Sequence, residues 1–483
     1  MKRRKTVFIT GASGNMGREG LRQLLERRDR FRVVALVLPT TRDRQILSKY
    51  DGDPDLTIVW GDLTNHQDVL QGVTGADFVL HVGGMVSPEA DHDPERTERV
   101  NIGGIRNILR AIQAQPDPDL VKLVYIGSVA QTGDRSPPLH WGRTGDPVRI
   151  SRWDRYAVTK TIAEREVIES GLRYWVSLRQ TALLHGNPSH PLRMDPIMFH
   201  LPLRGVFEWV TAEDSGRLLA NVCADDVPEQ FWRRIYNVGG GAGCRVTNYE
   251  FLLGAFSAFG LGKRHLEALF DPKWFALQNF HGQWFEDSDS LEDLLHFRSQ
   301  TFEDFGAYFR RHAPIPVVLP ACTPTFVFKL ARKLVLEPFA NRPDCTLHWI
   351  RHAENDRIAA FFGSLERWQS IPGWQGLDTA RPSSQPLRLH HGYDEARPLA
   401  ELDLDAMQAA AEFRGGLLLS SKMTRGDLAS KLRWQCAFGH QFDASPTLVL
   451  LGGHWCPHCM PPPWDDARIA ARNPFFAQVC AGG

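Results

Sequence analysis

The sequence predicts an α/β protein built on a doubly wound parallel sheet, and three observations carry that prediction. Apolar runs of strand length alternate with helical patterns along the N-terminal part of the chain. The second of these runs, Phe31-Arg32-Val33-Val34-Ala35-Leu36-Val37-Leu38, is almost continuously apolar, as a parallel strand covered on both faces requires. The first run, Thr6-Val7-Phe8-Ile9-Thr10, stops at the glycine cluster Gly11-Ala12-Ser13-Gly14-Asn15-Met16-Gly17 and passes straight into a helical pattern from Arg18 to Arg28. At 483 residues the chain exceeds the roughly 250–300 residues at which one core stops growing, so two or three domains are expected.

The glycine cluster reads as a strand, a phosphate loop and a helix. Gly11 suits backbone angles barred to other residues, Gly14 lets the main chain approach a pyrophosphate, and Gly17 lets the helix pack closely on the strand. The helix N-terminus then offers free N–H groups and a partial positive charge to an anion. A dinucleotide is the expected ligand, held by Gly11, Ser13, Gly14, Asn15, Met16 and Gly17.

At the end of the second strand an NAD site usually carries a carboxylate for the ribose hydroxyls, yet this chain has Leu38-Pro39-Thr40. Arg18, Arg42 and Arg44 lie nearby in sequence. Two readings stay open, a solvated helix start or a grip on a 2′-phosphate, and the expectation leans to NADP over NAD with Arg42 as a binding residue. The third strand, Leu56 to Trp60, ends in Gly61-Asp62-Leu63, where a carboxylate can accept from an adenine amino group. Ala76 to Val82 is the fourth strand, delivering Val82, Gly83 and Gly84 to the cofactor edge. A helix with Asn101, Gly103, Gly104 and Asn107 follows, its glycines read as permitting close packing on the sheet. The fifth strand, Leu120 to Ile126, brings Gly127-Ser128 to the carboxyl end, where open α/β sheets bind ligands. Tyr156 and Lys160 then sit one helical turn apart on one face, a spacing that lets an ammonium lower a phenol pKa for acid/base work.

Jointly these elements resemble the extended short-chain dehydrogenase/reductase family, the NAD-dependent epimerase/dehydratase group, over residues 6 to about 312. Leu178-Arg179-Gln180-Thr181, Gly186-Asn187-Pro188 and Ile235-Tyr236-Asn237-Val238-Gly239-Gly240-Gly241 fit the same pattern. The resemblance implies a Rossmann domain over residues 1–312 with a substrate cap mainly in 187–312. It implies Tyr156 as proton donor or acceptor, Ser128 as the hydrogen-bond partner of the reacting oxygen, and Lys160 as holder of the nicotinamide ribose that also lowers the tyrosine pKa. Asn101 would support a water-linked proton path, and Asp62, Leu63, Val82 and Gly83 would line the cofactor. A small-molecule substrate and a homodimer formed through helices of the Rossmann domain are expected. Two departures matter: His81-Val82-Gly83-Gly84 stands where an alanine pair is commoner, and Val129-Ala130-Gln131 stands where sugar dehydratases carry Asp-Glu. Dehydration is therefore disfavoured; simple reduction or dehydrogenation leads, ahead of an epimerase with retained NAD and of a non-enzymatic dinucleotide-sensing scaffold.

Residues 313–416 read as a proline-rich linker, from Ala313 through Pro324, and then a helical extension with amphipathic stretches at Thr325 to Leu336 and Leu347 to Trp368. His348 and His352 share a helical face, with Glu354 close by, but no third ligand completes a metal site. Gly373 to Pro398 reads as irregular. Within a 417–465 module, Cys436, His440, Cys456 and Cys459 form a Cys3His set that suits structural Zn2+ and resembles zinc-ribbon modules, with His454 and His458 as competing ligands. Residues 466–483 form a tail.

Bulk composition is that of an ordinary globular chain, at 43% hydrophobic and 23% charged residues. Its 56 basic and 56 acidic residues give no global field for nucleic acid or an anionic membrane, a balance that leaves local basic patches open. Arg425, Lys431 and Arg433 are too few to favour nucleic acid at the metal module. Met1-Lys2-Arg3-Arg4-Lys5 opens like a signal peptide, but the apolar run after it is short and ends in the glycine loop. No apolar stretch nears the ~20 residues of a membrane span, so a cytoplasmic location without membrane contact is expected. Cys223, Cys244, Cys322 and Cys345 are scattered, Cys480 lies in the tail, and all read as buried or inert thiols.

Overall fold

A computed structural model describes residues 3–185, 195–312, 322–460 and 464–480. Its centre is a seven-stranded sheet of β1 (Lys5–Thr10), β2 (Phe31–Val37), β3 (Leu56–Trp60), β4 (Phe78–His81), β5 (Lys122–Ser128), β6 (Tyr174–Gln180) and β7 (Arg234–Val238). The spatial order is β7-β6-β5-β4-β1-β2-β3, and every pairing is parallel. The chain therefore winds outward from β1 to β3, returns to β4 and winds the other way. That reversal opens a crevice between the carboxyl ends of β1 and β4, where Thr10 pairs in register with His81. The sheet is covered on both faces, which explains strands such as Phe78-Val79-Leu80-His81 in which every residue is buried.

Helix α1 (Asn15–Glu26) follows the glycine loop directly, starting three residues before the predicted Arg18. Strand β5 begins at Lys122, because Leu120 belongs to a short 3-10 turn with a proline at its start and is exposed. The predicted helix around Asn101 is a wide turn over Arg99–Gly103 that continues into α2 (Gly104–Gln113). Its two glycines differ. A Cβ on Gly104 would meet the Leu63 side chain at 3.4 Å, whereas one on Gly103 would enter open space, so packing explains only Gly104, and against the Leu63 turn rather than a strand.

The cap contains the antiparallel pair Val206–Glu208 with Arg245–Thr247 and the helices Asn248–Ala258 and Lys263–Leu269. Gly186-Asn187-Pro188 and residues 313–321 of the predicted linker lie outside the described residues. The helical extension is not a separate body, since Phe339, Ala340 and Cys345 share an apolar cluster with Phe199, Phe270 and Trp274 of the cap. Thr325–Leu336 is helical as expected. Leu347 to Trp368 is instead three short helices, Thr346–Arg351, Asn355–Phe362 and Leu365–Gln369. The breaks fall at Ala353 and Gly363, both in the left-handed region with φ of 50° and 81°. Gly373 to Pro398 carries no helix or strand.

Helix α3 (Leu404–Phe413) precedes the last sheet, β8 (Leu417–Leu418), β9 (Leu432–Gln435) and β10 (Gln441–Ala444), which is antiparallel. This module shares a core with the Rossmann sheet: one apolar cluster runs from Phe8, Val79 and Ile108 to Met407, Trp434 and Leu448. Among the described residues no helix is long and apolar enough to cross a membrane. Of the scattered cysteines, Cys223, Cys244 and Cys345 are buried as expected, but Cys322 is exposed.

Candidate active site

The crevice at the switch point is made by backbones in close approach. Gly11 has φ +72, and a Cβ there would lie 2.7 Å from Gly83 Cα; a Cβ on Gly17 would lie 2.1 Å from the Gly11 carbonyl oxygen. Both glycines are thus required by contact. Gly14 caps α1 without a side-chain hydrogen bond and no acidic residue stands in the first turn, so the N–H groups of Asn15, Met16 and Gly17 face outward with the helix dipole behind them. The cradle fits a pyrophosphate, with Ser13 and the exposed Gly14 at its mouth.

The floor is fixed by Thr10. Its hydroxyl accepts from Gly83 N at 3.0 Å and lies 3.0 Å from His81 Nδ1. Burial, with the Lys160 charge adding to it, holds the His81 pKa down at about 3, so the ring is neutral and its Nδ1 can accept from Thr10. The departure at His81 is therefore a brace for the Val82-Gly83 turn. The Asp62-Leu63 turn is braced by α2, where Asn107 Nδ2 donates to Leu63 O at 2.8 Å. The Asp62 carboxylate accepts from Thr64 N at 2.8 Å. No carboxylate ends β2. Arg42 is exposed there on the short helix Thr41–Leu47, whereas Arg44 is stacked 4.3 Å from the Trp60 ring centroid and Arg18 leans on Asn15 at 3.4 Å.

Ser128 ends β5, and Tyr156 and Lys160 lie on the helix Arg155–Ile168, whose N-terminus Asp154 caps by accepting from Ala157 N at 2.8 Å. Tyr156 is half-buried, its ring packed against Ala130 just past Ser128, and the Ser128 side chain acts to lower its phenol pKa. Lys160 Nζ donates to Ile126 O at 2.7 Å and lies 5.8 Å from the Tyr156 ring centroid. Sequence reasoning expected the ammonium to lower the phenol pKa, and in the free protein the opposite holds. Burial pushes Tyr156 up to about 12, with Ser128 opposing and Asp154 adding to it, and burial lowers Lys160 to about 8. Asn101 is fully engaged: Oδ1 accepts from Met85 N at 2.8 Å, and Nδ2 donates to Met85 O and Thr159 Oγ, each at 2.9 Å. It braces the Gly84-Met85 turn against the helix that carries Tyr156.

Behind this face lies a buried charge cluster that sequence reasoning missed. Glu164, one turn past Lys160, is fully buried and pairs with Arg179, also fully buried, at 3.0 Å and 2.7 Å. It further accepts from Ser177 Oγ at 2.6 Å and from Gln131 Nε2 at 2.8 Å. His454 Nε2 lies 2.8 Å from Glu164 Oε2, and Arg179 Nη2 donates to Gly452 O at 2.7 Å. Gln131 Oε1 accepts from Ser128 N at 2.9 Å, so the cluster reaches the end of β5. The signal available in the sequence was the four-residue step from Lys160 to Glu164; nothing marked Arg179 and His454 as its partners.

Cys436, His440, Cys456 and Cys459 converge, with all four ligand atoms within 4.8 Å of one another. Cys436 and Cys459 Sγ are 3.8 Å apart, and His440 Nδ1 lies 3.5, 3.7 and 3.4 Å from the Sγ atoms of Cys436, Cys456 and Cys459. A tetrahedral zinc with ordinary bond lengths demands edges of about 3.8 Å for S to S and about 3.6 Å for S to N, so the donor set fits. His454 is committed to Glu164, and the His458 ring stands 5.4 Å from that of His440, outside the set. His348 pairs with Glu354 at 3.4 Å, its ring 4.2 Å from that of His352, with no third ligand among the described residues.

Residues 7–184 match the model of the NAD dependent epimerase/dehydratase family. The 3 beta-hydroxysteroid dehydrogenase type 7 of Mus musculus is 27% identical over 168 residues, 34% of this chain and 44% of that protein. Its counterpart in Rattus norvegicus is 28% identical over 173 residues, 35% of this chain and 50% of that protein. The chain thus spans half or less of the length of these curated relatives. A solved dTDP-glucose 4,6-dehydratase, the DesIV double mutant from Streptomyces venezuelae with NAD bound, aligns at TM-score 0.50 and 20% identity, over 63% of this chain and 96% of that one. At that identity the likeness is one of fold. By sequence match and by the doubly wound sheet that carries it, residues 7–184 are similar to the NAD-dependent epimerase/dehydratase family.

Proposed function

We propose that the chain is a nicotinamide-dependent oxidoreductase that interconverts a carbonyl and a carbinol on a small molecule. One observation carries the reading: the half-buried Tyr156 ring packs against Ala130, just past Ser128 at the end of β5, with the Lys160 ammonium 5.8 Å from its centroid. The cofactor-binding residues are Gly11, Ser13, Gly14, Asn15, Met16, Gly17, Asp62, Leu63, Val82 and Gly83, with Lys160 toward the ribose. The bound dinucleotide supplies or accepts the hydride. In reduction, Ser128 Oγ orients the carbonyl oxygen and Tyr156 gives that oxygen its proton, becoming phenolate; the neighbouring Lys160 charge stabilises the anion. In oxidation the proton returns to Tyr156. Apolar Val129 and Ala130 after Ser128 offer no acid or base for removing water, which supports simple hydride transfer over dehydration.

The 2′-phosphate of NADP is assigned to Arg42, which is exposed beside a strand end without a carboxylate. Structural zinc is assigned to Cys436, His440, Cys456 and Cys459; four protein ligands leave no position for an activated water. The test is titration of the purified chain with NADPH and NADH, followed by turnover on a panel of ketones and alcohols. Tighter NADPH than NADH, weakened selectively by Arg42→Ala, is the expected result. Failure to bind either dinucleotide sinks the enzymatic reading, and NAD that stays bound through purification moves it to an epimerase.

A further inference from the structure

The described residues leave twelve large apolar side chains exposed, and five of them, Phe326, Val327, Leu330, Leu334 and Val335, fall on one short stretch of helix. That stretch is Thr325–Ala331 continuing through the wide turn Arg332–Leu336. Phe326, Leu330 and Leu334 repeat every fourth residue and so form one stripe, at 66%, 54% and 65% exposure, with Val327 beside it at 40%. The opposite face is the one that packs: Phe328 and Leu336 are buried, and Phe328 meets the His265 ring at 4.9 Å. Among the described residues, packing against the cap therefore leaves the stripe uncovered.

Within the helix itself the charge has one sign. Residues 322–336 contain Lys329, Arg332 and Lys333 and no acid. Arg332 turns inward, bonded to Asp271 and 3.6 Å from Glu337, while Lys329 and Lys333 are exposed along the edge of the stripe. On the neighbouring helix Lys263–Leu269, exposed Lys263 pairs with Glu267 at 3.6 Å and adds no net charge to this edge. In a chain with zero formal charge Lys329 and Lys333 are a local basic rim on an apolar face.

We propose that this helix lies on an anionic membrane surface, its stripe at the boundary of the acyl chains and Lys329 and Lys333 at the level of the phosphates. Apolar side chains flanked by lysines are the pattern of a helix that lies in the interface rather than spanning it. Charge complementarity chooses this occupant. A two-fold pairing of copies through the stripe would place the lysines of one copy near the same lysines of the other, whereas an anionic leaflet attracts each of them. The proposal is independent of the catalytic reading.

The experiment is flotation of the full chain with vesicles of phosphatidylcholine alone or mixed with phosphatidylglycerol, at low and high salt. Binding to the mixed vesicles, weakened by salt, is expected. Lys329→Glu with Lys333→Glu should weaken it by about thirtyfold or more, from about 1 kcal/mol per lysine. Phe326→Ser with Leu330→Ser and Leu334→Ser should abolish it. All five positions are exposed, and an unchanged thermal midpoint in each variant verifies the fold. Absence of binding, equal binding to both lipids, or binding that either variant leaves intact would overturn the proposal. So would a dimer in sedimentation velocity that the serine variant dissolves without any vesicle binding by the parent.

Discussion

Tyr156 has a single function to lose when its oxygen is removed, since the ring packs with Ala130, Ile150 and Val158 and Ser128 acts only on the hydroxyl. Tyr156→Phe should therefore bind dinucleotide like the parent and lose about 10²–10⁴ in kcat, the usual contribution of a general acid/base, measured on whichever substrate the panel yields. Parental turnover by this variant would remove Tyr156 from the mechanism. Lys160 gives a second prediction with a definite sign. Its pKa falls from the ordinary 10.5 to about 8 on folding, because burial costs the charged form. Between these values the unfolded chain holds more protons, so stability rises with pH from about 8 to 10.5, and the cost stands in full below pH 8. Against Lys160→Met, which has no such group, the parent should gain thermal stability over that window by an amount on the order of a few kcal/mol; parallel melting curves across it would mean that the ammonium is not penalised. The pair was legible in the sequence because a four-residue step survives any tertiary detail. Its pKa relation was not, because the burial that raises the phenol is made by neighbours from other elements, such as Ala130 and Ile150.

At the scale of elements, the strand–loop–helix at the N-terminus was read correctly because each glycine answers a local demand of the backbone. Gly17 makes the point testable: a methyl there would sit 2.1 Å from the Gly11 carbonyl, so Gly17→Ala must push the helix off the loop. Destabilisation of about 1–3 kcal/mol, as for other overpacked sites, with a clear loss of dinucleotide affinity, is expected from melting and titration. Unchanged affinity would separate the loop from the cofactor. The helix Arg155–Ile168 was read for Tyr156 and Lys160, yet its inner face is organised by Glu164, whose partners come from the turn after β5, from β6 and from residues near 454. Pairing of that kind has no period, which is why sequence patterns passed over it. Breaking a buried pair from one side is costly, so Glu164→Gln should lose about 3–5 kcal/mol by leaving Arg179 uncompensated, read as a fall in the denaturation midpoint. A neutral outcome would imply that Arg179 finds another partner.

At the scale of the whole molecule, one core joins the C-terminal module to the central sheet. Cys436, Cys456 and Cys459 belong to the same apolar cluster as Phe8, Val79 and Ile108 of the central sheet. Arg165 and Glu169 of the Tyr156 helix bond to Trp455 and Ser445, so the expected homodimer would have to use helices other than this one's covered side. Motif spacing marks the Cys3His set; it carries no information on which face of the sheet the module around it covers. A shared core has a thermodynamic consequence, because structural zinc contributes to folding by binding the native state alone. If the module were an independent bead, chelation or Cys456→Ser would melt it in a separate early transition and leave the dinucleotide-binding sheet at its parental midpoint. With the cluster continuous, calorimetry should show the sheet and the module unfolding together, at a midpoint lowered in the zinc-free chain and restored by zinc in the parent but not in the variant. Two resolved transitions, with only the earlier one responding to zinc, would mean that the contact between module and sheet is too weak to couple them.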